Sequence, residues 1–352
     1  MSDSCHALLL QYLNESANQE TSHQETLWIV DENLPRDFTG NLAARSSLHA
    51  WTNRFDTWQT LRTASIDAEL DDFQFADAER SFDRVVYRVS KERALVHHCI
   101  NSAFNVLKSG GEMILIGEKN DGIKTHARKA EQVFGGSNPA KKHGLCYIGM
   151  LNKTDHSLGK LLPSDDYPQL RKITVGDFSF YSKPGIFGWN KIDRGSELLV
   201  EALQDNVGKF NTQGSLLDLG CGWGYLILTT AALSFSQRVA TDNNVTALLA
   251  AQRNFEYAGL EVTALTDDCG SQLQTKFDLI LCNPPFHRGF SVSGDLSSRF
   301  LQQTRRLLAP GGKALFVVNQ FIPLDKLAKD LFEQTTLLSH RESFKVFLLG
   351  RK

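Results

Sequence analysis

The sequence predicts an α/β protein in which a parallel sheet covered by helices occurs twice. The length of 352 residues corresponds to about two domains of ordinary size. In the second half, short apolar segments alternate with stretches of helical apolar spacing, which is typical of parallel strands with helices on both faces. The first half repeats part of that pattern. These observations predict domains at 1–168 and 169–352, with an aperiodic linker over 154–169.

The elements of the second half follow from the spacing of its apolar residues. Alternation over 173–180 predicts a short hairpin, and helical spacing predicts a helix over 194–204. A later helix is predicted near 324–333, followed by a short apolar segment at 335–338. The predicted strands lie at 216–219, 237–241, 262–265, 277–282, 313–319 and 344–349.

Two segments of the first half resemble segments of the second. Phe82–Tyr87 resembles Phe277–Cys282, and Gly110–Leu115 resembles Gly311–Phe316. The paired segments begin 28 residues apart in the first half and 34 apart in the second, which favours a duplication. Chance similarity between two α/β halves is the alternative.

The composition is that of a globular protein. Apolar residues make up 41% of the chain and charged residues 22%, and a net charge of −2 gives no overall field that attracts nucleic acid. The six cysteines include no C-x-x-C pair, which predicts neither a zinc site nor a disulfide framework and favours a reducing cytosol. No signal peptide and no apolar run near the roughly 18 residues of a membrane span are present. We therefore expect a soluble cytoplasmic protein.

The strongest local signal is a glycine-rich turn after the first predicted strand of the core in the second half. Asp218 is followed by Gly220, Gly222 and Gly224, and glycines allow a sharp turn and close approach of a ligand to a helix N-terminus. Tyr225 breaks the dinucleotide pattern, and no G-K-[ST] follows. The remaining acid-x-Gly-x-Gly-x-Gly pattern is that of a loop for S-adenosylmethionine, whose cationic groups favour the acid. A purely structural turn is the alternative.

Three more acids follow the next two predicted strands. Asp242 ends the second strand, 24 residues after Asp218, where a carboxylate can accept both ribose hydroxyls of an adenosine. Capping of a helix is its alternative role. Asp267 and Asp268 end the third strand and are placed to accept the adenine amino group. We favour Asp268, although the spacing does not decide between the two.

The most specific feature is the sequence Asn283, Pro284, Pro285, Phe286 after the fourth strand. The two prolines restrict the backbone so that the Asn283 side-chain oxygen and the Pro284 carbonyl point into one site. Two acceptors on a conjugated exocyclic amine favour a pyramidal nitrogen with a free lone pair. Phe286 is expected to stack on a planar substrate. His287 could act as a base, but a substrate contact or a structural role is favoured because solvent can take the proton.

Together these residues resemble class I S-adenosylmethionine-dependent methyltransferases with an N-P-P-[FY] motif. Pro184–Phe187 and Asp193–Ser196 are similar to the segment before the cofactor loop in rRNA guanine-N2 methyltransferases, and Asn283–His287 matches their signature. Gly117–Gly122 and Gly144–Gly149 resemble the non-catalytic N-terminal domain of the RsmC family, the small-subunit rRNA methyltransferases C.

The resemblance implies two tandem Rossmann-like methyltransferase domains, of which the first is degenerate. It implies methylation of guanine N2 in 16S rRNA, at guanine 1207, within the small ribosomal subunit, with S-adenosylhomocysteine as product and without metal, membrane or DNA. The residues that it assigns are Phe187, Asp193 and Gly195 with Asp218, Gly220, Gly222, Gly224, Asp242, Asp267 and Asp268 for the cofactor, Asn283, Pro284 and Phe286 for catalysis, and Pro285, Phe286 and His287 for the substrate.

The first domain lacks these motifs. Alignment of the two Phe-Asp strands places Arg88 at the position of Asn283, and the strand ending at Asp31 is followed by Glu32–Pro35 with no glycine loop. We therefore expect this domain to bind no S-adenosylmethionine and, as the resemblance implies, to support the catalytic domain and hold RNA. Six basic residues make 119–142 a candidate RNA-binding patch, for which a solvated helix face is the alternative.

Some departures and alternatives stay open. Trp189 stands where the family usually has arginine, and Trp223 lies between two glycines of the loop. The alternative functions are guanine-N2 methylation of 23S rRNA and N5 methylation of a protein glutamine, although the latter enzymes usually have tyrosine at the position of Phe286. A non-enzymatic RNA-binding assembly factor is the rival from a different class, and the intact second site argues against it.

Overall fold

The computed structural model describes residues 4–18, 24–31, 34, 38, 42, 47–74, 80–136, 138–155, 160–164, 166–285, 287–288, 291–292 and 294–351. The chain divides into two compact units, Met1–Gln169 and Leu170–Lys352. Each unit is built around one seven-stranded sheet.

In the described part of the first unit, a helix precedes β1 and further helices follow β2, β4 and β5. Its sheet has the order β3-β2-β1-β4-β5-β7-β6. The elements are α1 (Ser4–Asn18), β1 (Thr26–Val30), β2 (Leu48–Thr52), α2 (Phe55–Thr63), β3 (Asp67–Leu70), β4 (Phe82–Arg88), α3 (Arg93–Val106), β5 (Leu107–Glu118), a 3₁₀ turn (Lys119–Asp121), α4 (Ile123–Phe134), β6 (Lys141–His143) and β7 (Cys146–Asn152).

The second unit begins with the predicted hairpin, β8 and β9, which forms a separate two-stranded sheet. Its main sheet has the order β12-β11-β10-β13-β16-β18-β17. The elements are β8 (Arg171–Val175), β9 (Phe178–Ser182), α5 (Arg194–Asp205), a 3₁₀ turn (Val207–Lys209), β10 (Ser215–Leu219), α6 (Tyr225–Leu228), β11 (Gln237–Asp242), α7 (Val245–Tyr257), β12 (Thr263–Thr266), β13 (Phe277–Cys282), β14 (His287–Arg288), β15 (Ser291–Val292), α8 (Gly294–Leu307), β16 (Leu308–Asn319), α9 (Leu324–Ala328), β17 (Gln334–Arg341) and β18 (Phe344–Gly350).

The two main sheets have the same strand order, which confirms the predicted duplication of one α/β fold. The prediction of wholly parallel sheets is wrong at one edge. There β18 runs antiparallel to both β16 and β17, as β7 does in the first unit. The physical reason is the connection, because two residues join β17 to β18 and so short a link permits only an antiparallel pair. The helix predicted near 324–333 is also shorter and ends at Ala328.

Both faces of each main sheet are covered. In β13 every residue except Asp278 is fully buried, as expected for a central strand between two helical layers. In the second unit, one apolar cluster includes Leu198 and Leu199 of α5, and another includes Phe300 and Leu301 of α8. No helix among the described residues is long and apolar enough to cross a membrane.

A disulfide joins Cys5 of α1 to Cys146 of β7, with their Cα atoms 5.6 Å apart. The prediction that the cysteines form no disulfide is therefore wrong. The two cysteines are 141 residues apart in the chain, so no local spacing could have revealed the pair. The inference from cysteine spacing to a reducing compartment loses its support with it. The other four cysteines, at 99, 221, 269 and 282, are buried and are not disulfide-bonded.

Candidate active site at the carboxyl edge of the second sheet

The predicted site residues follow strands that end at one edge of the second sheet. β10, β11, β12 and β13 are mutually parallel neighbours, so their carboxyl ends meet there. Asp218 of β10 pairs with Leu281 of β13, and this pair spans the point where the strand order reverses. Ligands of open α/β sheets bind in the crevice at such a point. The topology therefore brings the glycine turn and the Asn283 segment to one crevice.

The glycine turn needs its glycines for two different reasons. Gly220, Gly222 and Gly224 all have positive φ angles, of 86°, 56° and 93°. A Cβ atom at Gly224 would lie 2.7 Å from the Phe255 ring, so this glycine allows the turn to pack on α7. A Cβ atom at Gly222 would meet no heavy atom within 4 Å. Gly222 therefore borders open space in which a ligand can approach the backbone.

Asp242 is held by the turn that it faces. Its Oδ2 accepts a hydrogen bond from the Gly222 amide and its Oδ1 accepts one from the Asn244 amide, both at 2.8 Å. The capping role considered for Asp242 belongs to Asn244, whose side chain accepts from the Thr246 amide at the start of α7. Each carboxylate oxygen can accept a further bond. Asp242 therefore has capacity for the ribose hydroxyls of an adenosine.

Asp218 is a fully buried carboxylic acid. Neither of its oxygens has a hydrogen-bond partner within the part of the chain that the structure describes. Burial, followed by the charge of Asp242, raises the pKa of Asp218 to about 8, and the nearby backbone amide of Ile227 acts in the opposite direction. A buried carboxylate without a compensating partner strongly favours a nearby cation. The position thus fits the cationic amino and sulfonium groups of S-adenosylmethionine.

The two candidates for the adenine amino group differ in their partners. Asp267 supports its own turn, because its oxygens accept from the Ser271 hydroxyl and the Gln272 amide, each at 3.0 Å. Burial raises the pKa of Asp267. Asp268 forms an ion pair with Arg299 of α8. Sequence reasoning missed Arg299, because a lone arginine on a helix carries no signal of its partner 31 residues away.

Asn283 is oriented by its side-chain amide. Its Nδ2 donates to Asp193 Oδ2 and to Ser196 Oγ, both at 2.8 Å. A carboxylate only accepts hydrogen bonds, so the amide nitrogen must face Asp193 and Oδ1 remains as the acceptor. Pro284 is buried and Pro285 is exposed.

The structure describes little of the two residues that follow Pro285. Phe286, predicted to stack on the substrate, lies outside the described residues. His287 is described through its backbone alone, which forms the short strand β14 and pairs with Val292 of β15.

The upstream segment supports Asn283 in this structure. Asp193 caps α5 by accepting from the Ser196 amide at 2.9 Å, in addition to its bond with Asn283. A Cβ atom at Gly195 would lie 3.0 Å from Asp193 Oδ2, so glycine keeps this corner clear. Phe187, grouped with them for the cofactor, is 73% exposed. No role was assigned to Ser196 from the sequence. The Asp-x-x-Ser spacing, which is typical of the start of a helix, was the signal that could have placed Ser196 next to Asp193.

The two tryptophan departures have separate structural explanations. Trp223 is buried and stacks on Phe180 of the hairpin, with ring centroids 3.8 Å apart. The guanidinium of Arg171 lies over the Trp189 ring at 5.6 Å from its centroid. Both tryptophans therefore pack against the β8–β9 hairpin.

The first unit has different residues at the corresponding positions. The strand registers align the two sheets so that Trp28 takes the place of Asp218, Thr52 that of Asp242, and Arg88 that of Asn283. Arg88 is buried and forms an ion pair with Asp121 at 2.6 Å. The first sheet therefore carries neither of the two acids nor the amide acceptor.

Across the described residues of both units, no group of three or more histidine, cysteine, aspartate or glutamate side chains is arranged to hold a metal ion.

The chain matches two family models and is similar to several known proteins. The Methyltransferase small domain family matches residues 177–348, and the Methyltransferase small domain N-terminal family matches residues 10–156. A Ribosomal RNA small subunit methyltransferase C of Pasteurella multocida is 30% identical over 281 residues, covering 78% of this chain and 82% of that protein. One from Haemophilus influenzae is 26% identical over 322 residues, covering 90% and 91%.

A solved structure has the same fold over nearly the whole chain. It is the T. thermophilus 16S rRNA N2 G1207 methyltransferase (RsmC) in complex with AdoMet and guanosine, with a TM-score of 0.83 and 24% identity, covering 99% of this chain and 92% of that one. The fold and the site define an S-adenosylmethionine-dependent methyltransferase of class I with a duplicated sheet. The chain belongs to the Ribosomal RNA small subunit methyltransferase C family. The predicted fold class and family are confirmed.

Proposed function

We propose that the protein transfers the methyl group of S-adenosylmethionine to the exocyclic N2 of a guanine in 16S rRNA of the small ribosomal subunit. The observation that carries the proposal is the Asn283 amide, which two hydrogen bonds orient beside the glycine turn. The target is guanine 1207, the nucleotide named for the T. thermophilus relative. Such a substrate places the protein in the cytoplasm.

The cofactor is held by the turn and the acids next to it. Asp242 would accept its ribose hydroxyls, Gly222 would leave room for it against the backbone, and Asp218 would offset its positive charge. Asp267 and Asp268 border the adenine end, and Asp268 with its partner Arg299 stays the favoured contact. When bound, S-adenosylmethionine supplies an electrophilic methyl group on a sulfonium sulfur.

The acceptor pair prepares the amine for attack. Asn283 Oδ1 and the Pro284 carbonyl accept its two hydrogens, so the nitrogen lone pair is directed to the methyl carbon. The bound cofactor would supply the methyl group, with the electron pair of the C–S bond staying on sulfur, and the extra proton of the amine would leave to solvent because the methylated nitrogen is acidic. Stacking of Phe286 on the unstacked base is part of this proposal and rests on the sequence alone. The rate enhancement comes from positioning and from acceptors already in place.

The first unit offers a basic surface for RNA. Lys124 lies over the Tyr147 ring at 4.3 Å from its centroid, and β6 is exposed along its whole length. This arrangement of cations beside an aromatic ring supports phosphate contacts together with base stacking. The exposed basic residues of the surface are Lys119, Lys124, Arg128, Lys141 and Lys142.

The test is transfer of labelled methyl from S-adenosylmethionine to separated ribosomal subunits that lack the modification, followed by nucleoside analysis. We expect N2-methylguanosine in the small subunit alone. Label in the large subunit would move the substrate to 23S rRNA, and label in a glutamine residue would move it to a protein. Absence of label from every fraction contradicts the proposed function, and absence of S-adenosylmethionine binding as well would favour an assembly factor.

A further inference from the structure

We infer that Asp193 and Ser196 form a positioning pair that holds the Asn283 amide in the one orientation useful for catalysis, and that Asp193 does not bind the cofactor. The inference rests on the proposed methyl transfer and names two residues that act through Asn283. Neither residue needs to touch the reacting atoms.

The pair uses both hydrogens of the Asn283 amide. A side-chain amide nitrogen has two hydrogens to donate, and here the two acceptors are Asp193 Oδ2 and Ser196 Oγ, each 2.8 Å from Nδ2. A 180° flip of the amide would turn Oδ1 against the Asp193 carboxylate and lose the hydrogen bond to it, whereas the Ser196 hydroxyl can donate as well as accept. The carboxylate therefore selects the orientation in which Oδ1 is free to accept from the target amine.

The orientation has to come from side chains because the neighbouring backbone cannot supply it. Pro284 and Pro285 have no N–H group, so no backbone amide directly after Asn283 can hold the side-chain oxygen or the turn. The two acceptors are brought to Asn283 from 90 and 87 residues away in the chain. This long-range contact joins the catalytic segment to the start of α5.

The start of α5 is a rigid platform for the pair. Asp193 is the capping residue and Ser196 lies on the first turn, so the Asp193 carboxylate is tied to the helix backbone by the Ser196 amide. Negative charge is also favourable at a helix N-terminus. The helix is anchored in the core by buried Leu198 and Leu199. A functional group supported on such an element keeps its geometry more accurately than one on a loop.

The substitution Asp193→Asn isolates orientation from folding. Asparagine is as good a capping residue as aspartate, so α5 should start at the same place. The atom that caps α5, Oδ2, is also the atom that accepts from Asn283, and in asparagine this oxygen carries no full negative charge. The neutral amide repels Asn283 Oδ1 less than the carboxylate does, so the flipped orientation is no longer excluded. In the flipped orientation the NH₂ group of Asn283 would face the NH₂ group of the target guanine, and two donors cannot form the required hydrogen bond. We therefore expect turnover to fall while folding and cofactor affinity stay the same.

The experiment compares wild type with Asp193→Asn, Ser196→Ala and Ser196→Thr in methylation of unmodified small subunits. Asp193→Asn should lower kcat about 10- to 100-fold, the cost of misplacing a catalytic group, and Ser196→Ala should lower it less. Ser196→Thr retains the hydroxyl and should restore most of the rate. The Kd of S-adenosylmethionine by calorimetry should stay within about twofold of wild type. Asp205→Asn, the same change at the exposed far end of α5, is the matched control and should leave kcat unchanged.

Two results overturn the inference. An unchanged kcat in both Asp193→Asn and Ser196→Ala shows that the Asn283 amide needs no such support, and a raised Kd for S-adenosylmethionine in Asp193→Asn shows that Asp193 is a cofactor ligand. A readout without activity is the Asn283 side-chain NH₂ signal in protein labelled with ¹⁵N-asparagine, assigned by its loss in Asn283→Asp. It should shift in Asp193→Asn and Ser196→Ala but not in Asp205→Asn. If wild type transfers no methyl, the proposed function fails, and this signal still decides whether the pair holds Asn283.

Discussion

Asn283 and Asp218 lie at the same edge of the sheet but have opposite surroundings. The donors of the Asn283 side chain are both satisfied, so its remaining oxygen has a defined direction. The Asp218 carboxyl is buried, and no described residue donates a hydrogen bond to it. The Asn283 amide is held in place and ready to accept from a neutral amine. The ionised form of the Asp218 carboxyl is unfavourable until a cation binds beside it. Each residue therefore has its own test.

Replacing Asn283 by alanine should slow methyl transfer and leave cofactor binding intact. The substitution deletes the oxygen that accepts from the target amine, so we expect kcat to fall by about 100-fold or more, as for loss of one preorganised polar group. The cofactor contacts at Gly222 and Asp242 are untouched, so the Kd of S-adenosylmethionine should barely change. Single-turnover methylation and calorimetry measure the two quantities. Gln204→Ala, on the exposed face of α5, is the control. Persistent methyl transfer in Asn283→Ala would contradict the acceptor role.

The raised pKa of Asp218 predicts that cofactor binding depends on pH. With a pKa of about 8, the unliganded carboxyl is protonated at pH 6 and loses its proton as the pH rises through 8. A bound cation favours the ionised form, so binding at pH 7 should release a proton and affinity should increase from pH 6 to 8. Calorimetry in buffers with different ionisation enthalpies counts the released proton. In Asp218→Asn the release should vanish, and equal release in both proteins would contradict this role.

At the scale of elements, the sequence predicts what short-range patterns encode. β10 and β13 are mostly apolar and end close to Gly220 and Pro284, and the structure has both strands within one residue of the predicted bounds. β17 shows mostly exposed and half-buried residues with no alternation, so its apolar segment at 335–338 did not identify it as an edge strand. The parallel order of neighbouring strands was inferred, but the reversed β18 depends on a two-residue hairpin connection.

The candidate site shows the same limit. The segments Gly220–Gly224 and Asn283–Phe286 could be recognised in the sequence because glycine and proline determine the conformation of the backbone at their own positions. Ser196 contacts Asn283 and Arg299 contacts Asp268 only after folding, and nothing in the local sequence of either residue identifies its partner. The Cys5–Cys146 bridge is a similar case over a longer distance.

The disulfide between α1 and β7 should contribute to stability. It closes a loop of 141 residues, and cross-links over loops of this size restrict the unfolded chain strongly. We expect Cys5→Ser, or reduction of wild type, to lower the free energy of unfolding of the first unit by about 2–4 kcal/mol. Urea unfolding followed by tryptophan fluorescence measures this with and without reductant. Reductant should have no effect on Cys5→Ser, and an unchanged midpoint in reduced wild type would contradict the contribution.

At the scale of the whole molecule, the same fold occurs twice with different side chains at the positions of the candidate site. The two sheets share strand order and register, so the difference in function is a difference of side chains at equivalent positions. In the first unit the indole of Trp28 is buried where the second has a carboxylate, and the Arg88–Asp121 ion pair fills the place of the amide acceptor. Neither change disturbs the sheet, because both substitutes are buried and packed.

This comparison predicts that the full chain binds one molecule of S-adenosylmethionine rather than two. The ribose acceptor Asp242 has only the hydroxyl of Thr52 as its counterpart in the first unit, and a buried indole excludes charge compensation there. Calorimetry should give a stoichiometry of one, and Asp242→Ala should weaken that binding beyond detection because no second site remains. Thr52→Ala should leave both stoichiometry and affinity unchanged and serves as the matched control. A stoichiometry of two, or residual tight binding in folded Asp242→Ala, would show that the first unit keeps a working cofactor site.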